Sequence, residues 1–179
     1  MYNVRRKVTI SMIEITEEFL IKLKEKDNDA FSKLYNNYVK LIYHIAYSYT
    51  HNKEDSEDIV SEVFIKIISS IPSYQEKGKF KEWISMITRN VSLNFVTRNK
   101  YKEVLKDEEL TNKTVDKDAS YKDIIMLFEE FLDKDTMSIM TLKFIYNYKF
   151  KDIAMILGMS IGKVQGLYYD GLEKLRKVY

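Results

Sequence analysis

The 179-residue sequence predicts an all-α fold of two small helical domains, a helical bundle and a helix-turn-helix domain, joined by a polar linker. Apolar residues recur at i, i+3, i+4 and i+7 almost throughout. The pattern dissolves between Lys106 and Tyr121, in KDEELTNKTVDKDASY. Beyond that break, Phe150 to Leu172 carries the spacing of a helix-turn-helix. These observations divide the chain into a tail (1–11), a first domain (12–106), a linker (107–121) and a second domain (122–179).

Residues 1–11, MYNVRRKVTIS, hold three bases and no acid ahead of a second methionine, Met12. They are expected to be a disordered tail, with Met12 as the alternative start and a basic nucleic-acid-binding arm as a further possibility. Phe31, Leu34, Tyr35 and Tyr38 begin the first apolar stripe, which Leu41, Ile42, Ile45, Ala46 and Tyr49 continue, with Asp29 as the expected N-terminal cap. His51-Asn52-Lys53 forms a turn. The next helix opens on Glu54 and Asp55, acids suited to the positive end of a helix dipole. Its expected buried face is Ile59, Val60, Val63, Phe64, Ile67, Ile68 and Ile71, and Pro72 ends it. A polar loop from Ser73 to Lys79 contains Gly78. The helix after it, from Phe80 to about Lys100, turns Phe80, Trp83, Ile84, Ile87, Val91 and Phe95 inward. Helical patterning resumes at Ile124 and includes the β-prone Phe144-Ile145-Tyr146.

Composition excludes several function classes. There is no cysteine, so disulfides, thiol catalysis and cysteine-ligated metals are ruled out. Two histidines, His44 and His51, leave little for a metal centre or a catalytic triad. No apolar run approaches the roughly 20 residues that span a bilayer, and no signal peptide is recognisable. The acids of 54–62 share helix faces without a cleft, a histidine or a glycine-rich loop argued nearby, so neither metal nor catalysis is expected of them. A cytoplasmic binding protein follows, with no catalytic residues, cofactor, metal, small-molecule substrate or membrane insertion.

Net charge is only +2, yet it is unevenly placed. Residues 54–62 carry Glu54, Asp55, Glu57, Asp58 and Glu62 and no base. Residues 79–106 carry seven bases (Lys79, Lys81, Arg89, Arg98, Lys100, Lys102, Lys106) against two acids. The basic helix suits phosphates and the acidic one a basic protein surface. Solvated outer faces of amphipathic helices also look like this, so charge alone assigns no partner.

The C-terminal motif is sharper. Ala154 is the small residue where two helices cross, Gly158 the turn residue able to adopt positive φ, and Ile153, Leu157, Met159 and Val164 the packing set. Ser160 is placed to cap the second helix. In a major groove that helix would present Ser160, Ile161, Lys163, Gln165, Gly166 and Tyr169. Its single base before Lys174, the acid Asp170 and the glycines at 162, 166 and 171 make it a weak reader by itself.

Four stretches in order, DNDAFSKLYNNYVKLIYHIAY, EDSEDIVSEVFIKI, GKFKEWISMITRNVSLNFVTRNKYK and the helix-turn-helix, together resemble the bacterial sigma-70 family, in its short extracytoplasmic-function (ECF) type, over about Asp27 to Lys177. The resemblance implies a sigma-2-like bundle and a sigma-4-like domain that bind core RNA polymerase (β′ clamp helices, β flap) and promoter DNA, with an anti-sigma factor as a further partner. It implies polymerase contacts at Asp58, Ser61 and Glu62, beside Ile59, Val63 and Phe64 packing inside. It implies −10 DNA contacts at Lys79, Arg89, Asn90, Asn94, Arg98 and Lys100, and capture of a flipped base by the loop of Tyr74, Gln75 and Lys77. The helix-turn-helix residues named above become the −35 set, and Trp83 is expected in the core. The recognition helix departs from the family's Lys/Ser/Arg cluster at Gln165, Gly166, Leu167 and Asp170, which puts −35 affinity in question. Two alternatives stand beside a sigma factor: a sigma-like interaction protein that no longer reads promoters, and a polymerase-independent helix-turn-helix regulator.

Overall fold

The computed structural model describes residues 12–75, 78–103 and 122–178. The expected tail, the linker and Lys77 lie outside them. Among the described residues there are eight α-helices, one 3-10 turn and no strand. They fall into two compact units, one holding residues 12–75 and 78–103, the other residues 122–178.

The first unit contains α1 (Glu17–Lys24), α2 (Asn28–Thr50), α3 (Lys53–Ser70), a 3-10 turn (Ile71–Ser73) and α4 (Phe80–Glu103). Each early helix starts on a side chain that accepts one of its orphan N–H groups. Thr16 accepts from the Phe19 amide, Asp27 from Ala30 at 2.7 Å and Asn52 from Asp55 at 3.0 Å. The cap of α2 is therefore Asp27; Asp29 lies one residue inside the first turn, where an acid still favours the dipole. His51, at φ 51°, closes α2 in the left-handed region, and Asn52 opens α3 at once.

Helices α2, α3 and α4 pack against one another. Leu34, Leu41, Ile42, Ile45 and Ala46 of α2, Ile59, Val63 and Ile67 of α3 and Ile84 of α4 are all fully buried. Tyr38 is buried too, its ring edge-on to Phe80 at 5.7 Å. The stripe on α3 is narrower than its sequence suggests: Phe64 is half-buried and Ile68 is 46% exposed. On α4, Phe80, Ile84, Val91 and Phe95 are buried as expected, whereas Trp83 and Ile87 are only half-buried. Ser85, Thr88 and Ser92 take up the remaining inward positions. Each hydroxyl donates to the carbonyl four residues earlier at 2.8 Å, so small polar residues line a close helix contact without an unmet hydrogen bond.

The second unit contains α5 (Lys122–Phe131), α6 (Lys134–Phe144), α7 (Phe150–Leu157) and α8 (Ile161–Val178). Phe128, Leu132 and Met140 form a cluster against which Ile124, Met137, Phe144, Tyr168, Leu172 and Leu175 pack. The helical pattern read through Ile145 and Tyr146 breaks there: Ile145 is the C-cap of α6, and Asn147 reverses the chain at φ 53°. Tyr146 and Tyr148 are buried, so this apolar connection belongs to the core.

Between α7 and α8, Gly158 sits at φ 65° and the Met159 amide donates to the Ala154 carbonyl at 2.9 Å. Ser160 accepts from the Lys163 amide at 3.2 Å and caps α8. Ile153, Ala154 and Val164 are buried; Leu157 and Met159 are half-buried, and Ile156 fills the core beside them. The glycines of α8 differ in kind. A Cβ on Gly171 would lie 2.6 Å from the Thr136 methyl, whereas one on Gly162 or Gly166 would meet nothing within 4 Å. Gly171→Ala should therefore lower stability by about 1–3 kcal/mol through overpacking. Gly166→Ala should raise it by about 0.5–1 kcal/mol, the conformational entropy of an interior helical glycine. Urea denaturation of the full chain measures both.

Candidate protein and nucleic-acid interfaces

Burial of Ile59, Val63 and Ile67 turns Asp58, Ser61, Glu62 and Ile65 to the opposite side of α3, at i, i+3, i+4 and i+7. Asp58 and Ser61 are exposed, Glu62 is half-buried, and Ile65 is 67% exposed. The Ser61 hydroxyl donates to the Glu57 carbonyl of its own helix, while Glu57 pairs with Lys53 at 3.6 Å. Beside this acidic row runs an apolar one. Phe64 packs against Tyr35 of α2 with ring centres 4.7 Å apart and the planes tilted by 35°, and Ile68 continues the row. Together with Phe31, Ser32 and Asn36 these side chains line a shallow groove of about 360 Å³. Sequence reasoning placed Phe64 and Ile68 inside and missed Ile65 and Tyr35. The available signal was Ile65, an isoleucine seven residues after Asp58 and out of step with the buried stripe.

The loop after α3 starts from an aromatic cluster. The Tyr74 ring lies 4.5 Å from Trp83 and 5.1 Å from Phe80, and Trp83 lies 5.3 Å from Phe80. Trp83 thus sits at the base of the loop, at the edge of the bundle. Gln75 and Lys79 are exposed. Trp83, Asn90 and Asn94 follow at i, i+7 and i+11 along one side of α4, both asparagines exposed. Arg98 is exposed, with its guanidinium 5.6 Å from the Phe95 ring centre. Lys100 is helical.

Arg89 departs from the expected set. It is half-buried, its Nη1 donates to Asn90 Oδ1 at 3.4 Å, and its buried Nε has no hydrogen-bond partner among the described residues. It meets Tyr49 of α2; burial pushes the Tyr49 hydroxyl's pKa up, and the guanidinium works against that. Arg89 therefore joins α4 to α2 as well as bordering the exposed asparagines.

On α8 all six expected residues, Ser160, Ile161, Lys163, Gln165, Gly166 and Tyr169, are exposed. Ile161 is 49% and Tyr169 60% exposed. The charges are not free to act alone. The Lys163 ammonium lies 3.3 Å from Asp135, and Lys174 lies 3.2 Å from Asp133, both acids on or capping α6. Lys177 pairs with Glu173 at 2.9 Å. Partial burial works to raise the Asp133 carboxyl, but the Thr136 amide and hydroxyl and the Lys174 ammonium together hold it below the ordinary aspartate range. No group of three or more acids or histidines among the described residues is arranged to hold a metal ion, and no described helix is long and apolar enough to cross a membrane.

Residues 34–101 match the family model of sigma-70 region 2. The chain is 24% identical over 161 residues to RNA polymerase sigma factor YlaC of Bacillus subtilis, covering 85% of this chain and 93% of that one. It is 29% identical over 137 residues to SigV of the same organism, covering 75% and 81%. It is 25% identical over 173 residues to the ECF sigma factor SigW, also of Bacillus subtilis, covering 87% and 92%. The relatives that it matches across most of its length are thus RNA polymerase sigma factors, SigW among them of the ECF type. The chain's fold is also that of the sigma factor RpoE from Bartonella quintana, solved in complex with the anti-sigma factor NepR, at a TM-score of 0.57 and 17% identity over 82% of this chain and 94% of that one. The acidic and apolar rows of α3 and the aromatic cluster at the start of α4 lie inside the matched region 34–101.

Two measurements follow from these contacts. Tyr74→Ala should shift the emission of Trp83, the chain's single tryptophan, to the red and raise its accessibility to a soluble quencher, since the closest aromatic cover is removed. Because Asp133 is depressed in the fold, its stabilisation is complete above the ordinary aspartate value and is lost as pH falls through and below it. Asp133→Asn, which can still cap α6, should flatten the loss of stability below about pH 5 relative to the parent chain, measured by denaturant melts across pH.

Proposed function

We propose that this chain is an ECF sigma factor that initiates transcription by binding core RNA polymerase, directing it to promoters and assisting strand separation, without catalysis of its own. The observation that carries the proposal is the outward face of α3. Acids at 58 and 62 flank Ser61 and the exposed Ile65, with Tyr35, Phe64 and Ile68 alongside. A carboxylate row beside an apolar groove complements a basic, partly apolar protein helix, and the assigned partner is the clamp-helix region of β′. The interface is thus wider than the three polar residues the sequence suggested.

In the same reading, Tyr74, Gln75, Lys77, Lys79, Asn90, Asn94, Arg98 and Lys100 form the −10 DNA surface, with Arg89 at its border. Lysine and arginine neutralise phosphates, asparagines bond base edges, and the Tyr74–Trp83 pair offers an aromatic platform at the loop that receives an unstacked base. The helix-turn-helix, through Ser160, Ile161, Lys163, Gln165, Gly166 and Tyr169, takes the −35 element, with the β flap as the neighbouring polymerase surface. An anti-sigma factor as a further partner and a cytoplasmic location complete the reading; RpoE, whose fold this chain shares, is solved with such a partner.

The test uses purified bacterial core polymerase and a library of promoter fragments. The parent chain should bind core and yield transcripts starting downstream of a shared motif pair. Asp58→Lys with Glu62→Lys should abolish core binding. Ile65→Glu should weaken it at least about tenfold with an unchanged melting temperature, because an exposed side chain carries little folding energy. Core binding that survives all three substitutions would place the polymerase interface elsewhere.

A further inference from the structure

The −35 surface carries its own competitor for phosphate. Lys163 is the only base in the first three turns of α8, and its ammonium lies 3.3 Å from the Asp135 carboxylate, 28 residues away in sequence on α6. Both side chains are about half exposed, 53% and 47%. Their pairing is therefore in contact with solvent, and a surface ion pair of this kind contributes little to folding. A carboxylate and a phosphate offer the ammonium the same chemistry, a charged oxygen acceptor. A DNA backbone reaching Lys163 must displace Asp135 and then tolerate its uncompensated charge nearby. Three turns further along, Lys174 is held by Asp133 in the same way, at 3.2 Å.

The two acids differ in what else they do. Asp133 caps α6, accepting from the Thr136 amide at 3.0 Å and hydroxyl at 2.8 Å, so it has a structural task independent of Lys174. Asp135 lies one residue inside the helix, and its described hydrogen bond is to Lys163. The opposed glycines sharpen the point: the exposed face at 162 and 166 offers no side chain that could take over phosphate binding.

We propose that Asp135 sets the DNA affinity of the recognition helix, holding Lys163 on a protein carboxylate so that the helix-turn-helix engages duplex DNA only weakly outside the polymerase complex. The inference rests on the reading of α8 as the −35 surface. It assigns to an acid on α6 a restraining effect on an interface it does not itself form.

The experiment is binding of the full chain to a fluorescently labelled random-sequence duplex of about 25 base pairs, followed by anisotropy over a low-salt series where non-specific affinity is measurable. Asp135→Asn should tighten binding roughly three- to tenfold and steepen the salt dependence by up to about one unit, the signature of one more effective phosphate contact. Lys163→Gln should weaken binding. In the Lys163→Gln background, Asp135→Asn should gain less than about twofold, because only the residual repulsion remains to be removed. Thermal melts of each variant check that the fold is retained.

A gain from Asp135→Asn that is equal in both backgrounds reflects net charge alone and overturns the proposal. So does no gain, with Lys163→Gln still weakening binding; in that case the −35 reading of α8 survives and only the restraint is lost. If Lys163→Gln leaves binding unchanged, or the parent chain and the Asp135→Asn variant both fail to bind at the lowest salt, Lys163 does not engage DNA in the free chain and the proposal falls. The −35 reading, which concerns the polymerase complex, stands or falls on the promoter-library transcription instead.

Discussion

Ile59, Val63 and Ile67 are fully excluded from solvent, and their burial fixes the rotation of α3 about its own axis. Each fully buried aliphatic side chain is worth about 1.5–3 kcal/mol relative to exposure, so turning the helix by even a quarter turn would forfeit most of that. With the rotation set, helical geometry leaves no choice about Asp58, Ser61, Glu62 and Ile65: they face outward together. The proposed polymerase surface is thus the complement of the core stripe. The same stripe accounts for the narrowness of the buried face. Phe64 and Ile68 lie at its flank, where α2 contributes Tyr35 in place of further covering helix, and a shallow groove results.

The α4 helix faces the opposite problem, since it must be buried along one side and polar along the rest. Ser85, Thr88 and Ser92 solve it by satisfying their hydroxyls within the helix, which permits a close approach to its neighbours without a branched aliphatic at every inward position. Arg89 and Tyr49 add a polar link between α4 and α2 at the border of the exposed asparagines. A side chain that fastens two helices and borders the proposed nucleic-acid surface couples the two: disturbing the contact with Tyr49 would also move the asparagine row.

The elements themselves were legible because amphipathic periodicity, capping residues and one proline suffice to place helices in a chain this regular. The turn at Gly158 was legible for a similar local reason, since a left-handed position after a small helical residue leaves few alternatives to glycine. What escaped were features decided by neighbours distant in sequence. Asp27 and Asp29 are both plausible caps by composition, and only the chain's entry into α2 selects the first. Trp83 shares a stripe with Phe80 and Ile87, yet the Tyr74 loop rather than a helix covers it, so it is half-buried. The distinction between Gly171 and Gly166 depends entirely on Thr136, a residue of another helix. The ion pairs on α8 are of the same kind: no periodicity within 161–178 announces that Asp133 and Asp135 will stand opposite its lysines.

Those ion pairs bear on how the proposed −35 surface would act. A recognition helix whose lysines are already matched by carboxylates gains little net charge from approaching a phosphate, and its bare glycine face adds few contacts. Such a helix needs DNA to be supplied at high local concentration. On the proposed reading, polymerase supplies it: once the α3 face is docked, the covalently joined helix-turn-helix meets a −35 element as an intramolecular partner. Effective concentrations of that kind reach the millimolar range for short connections, enough to populate contacts that would be negligible between free molecules. Weak intrinsic affinity then becomes a source of selectivity, because a factor that binds duplex poorly alone is not titrated by the excess of non-specific sites. On that reading the acidic face of α3 and the self-neutralised face of α8 are two parts of one arrangement, in which commitment to DNA follows commitment to polymerase.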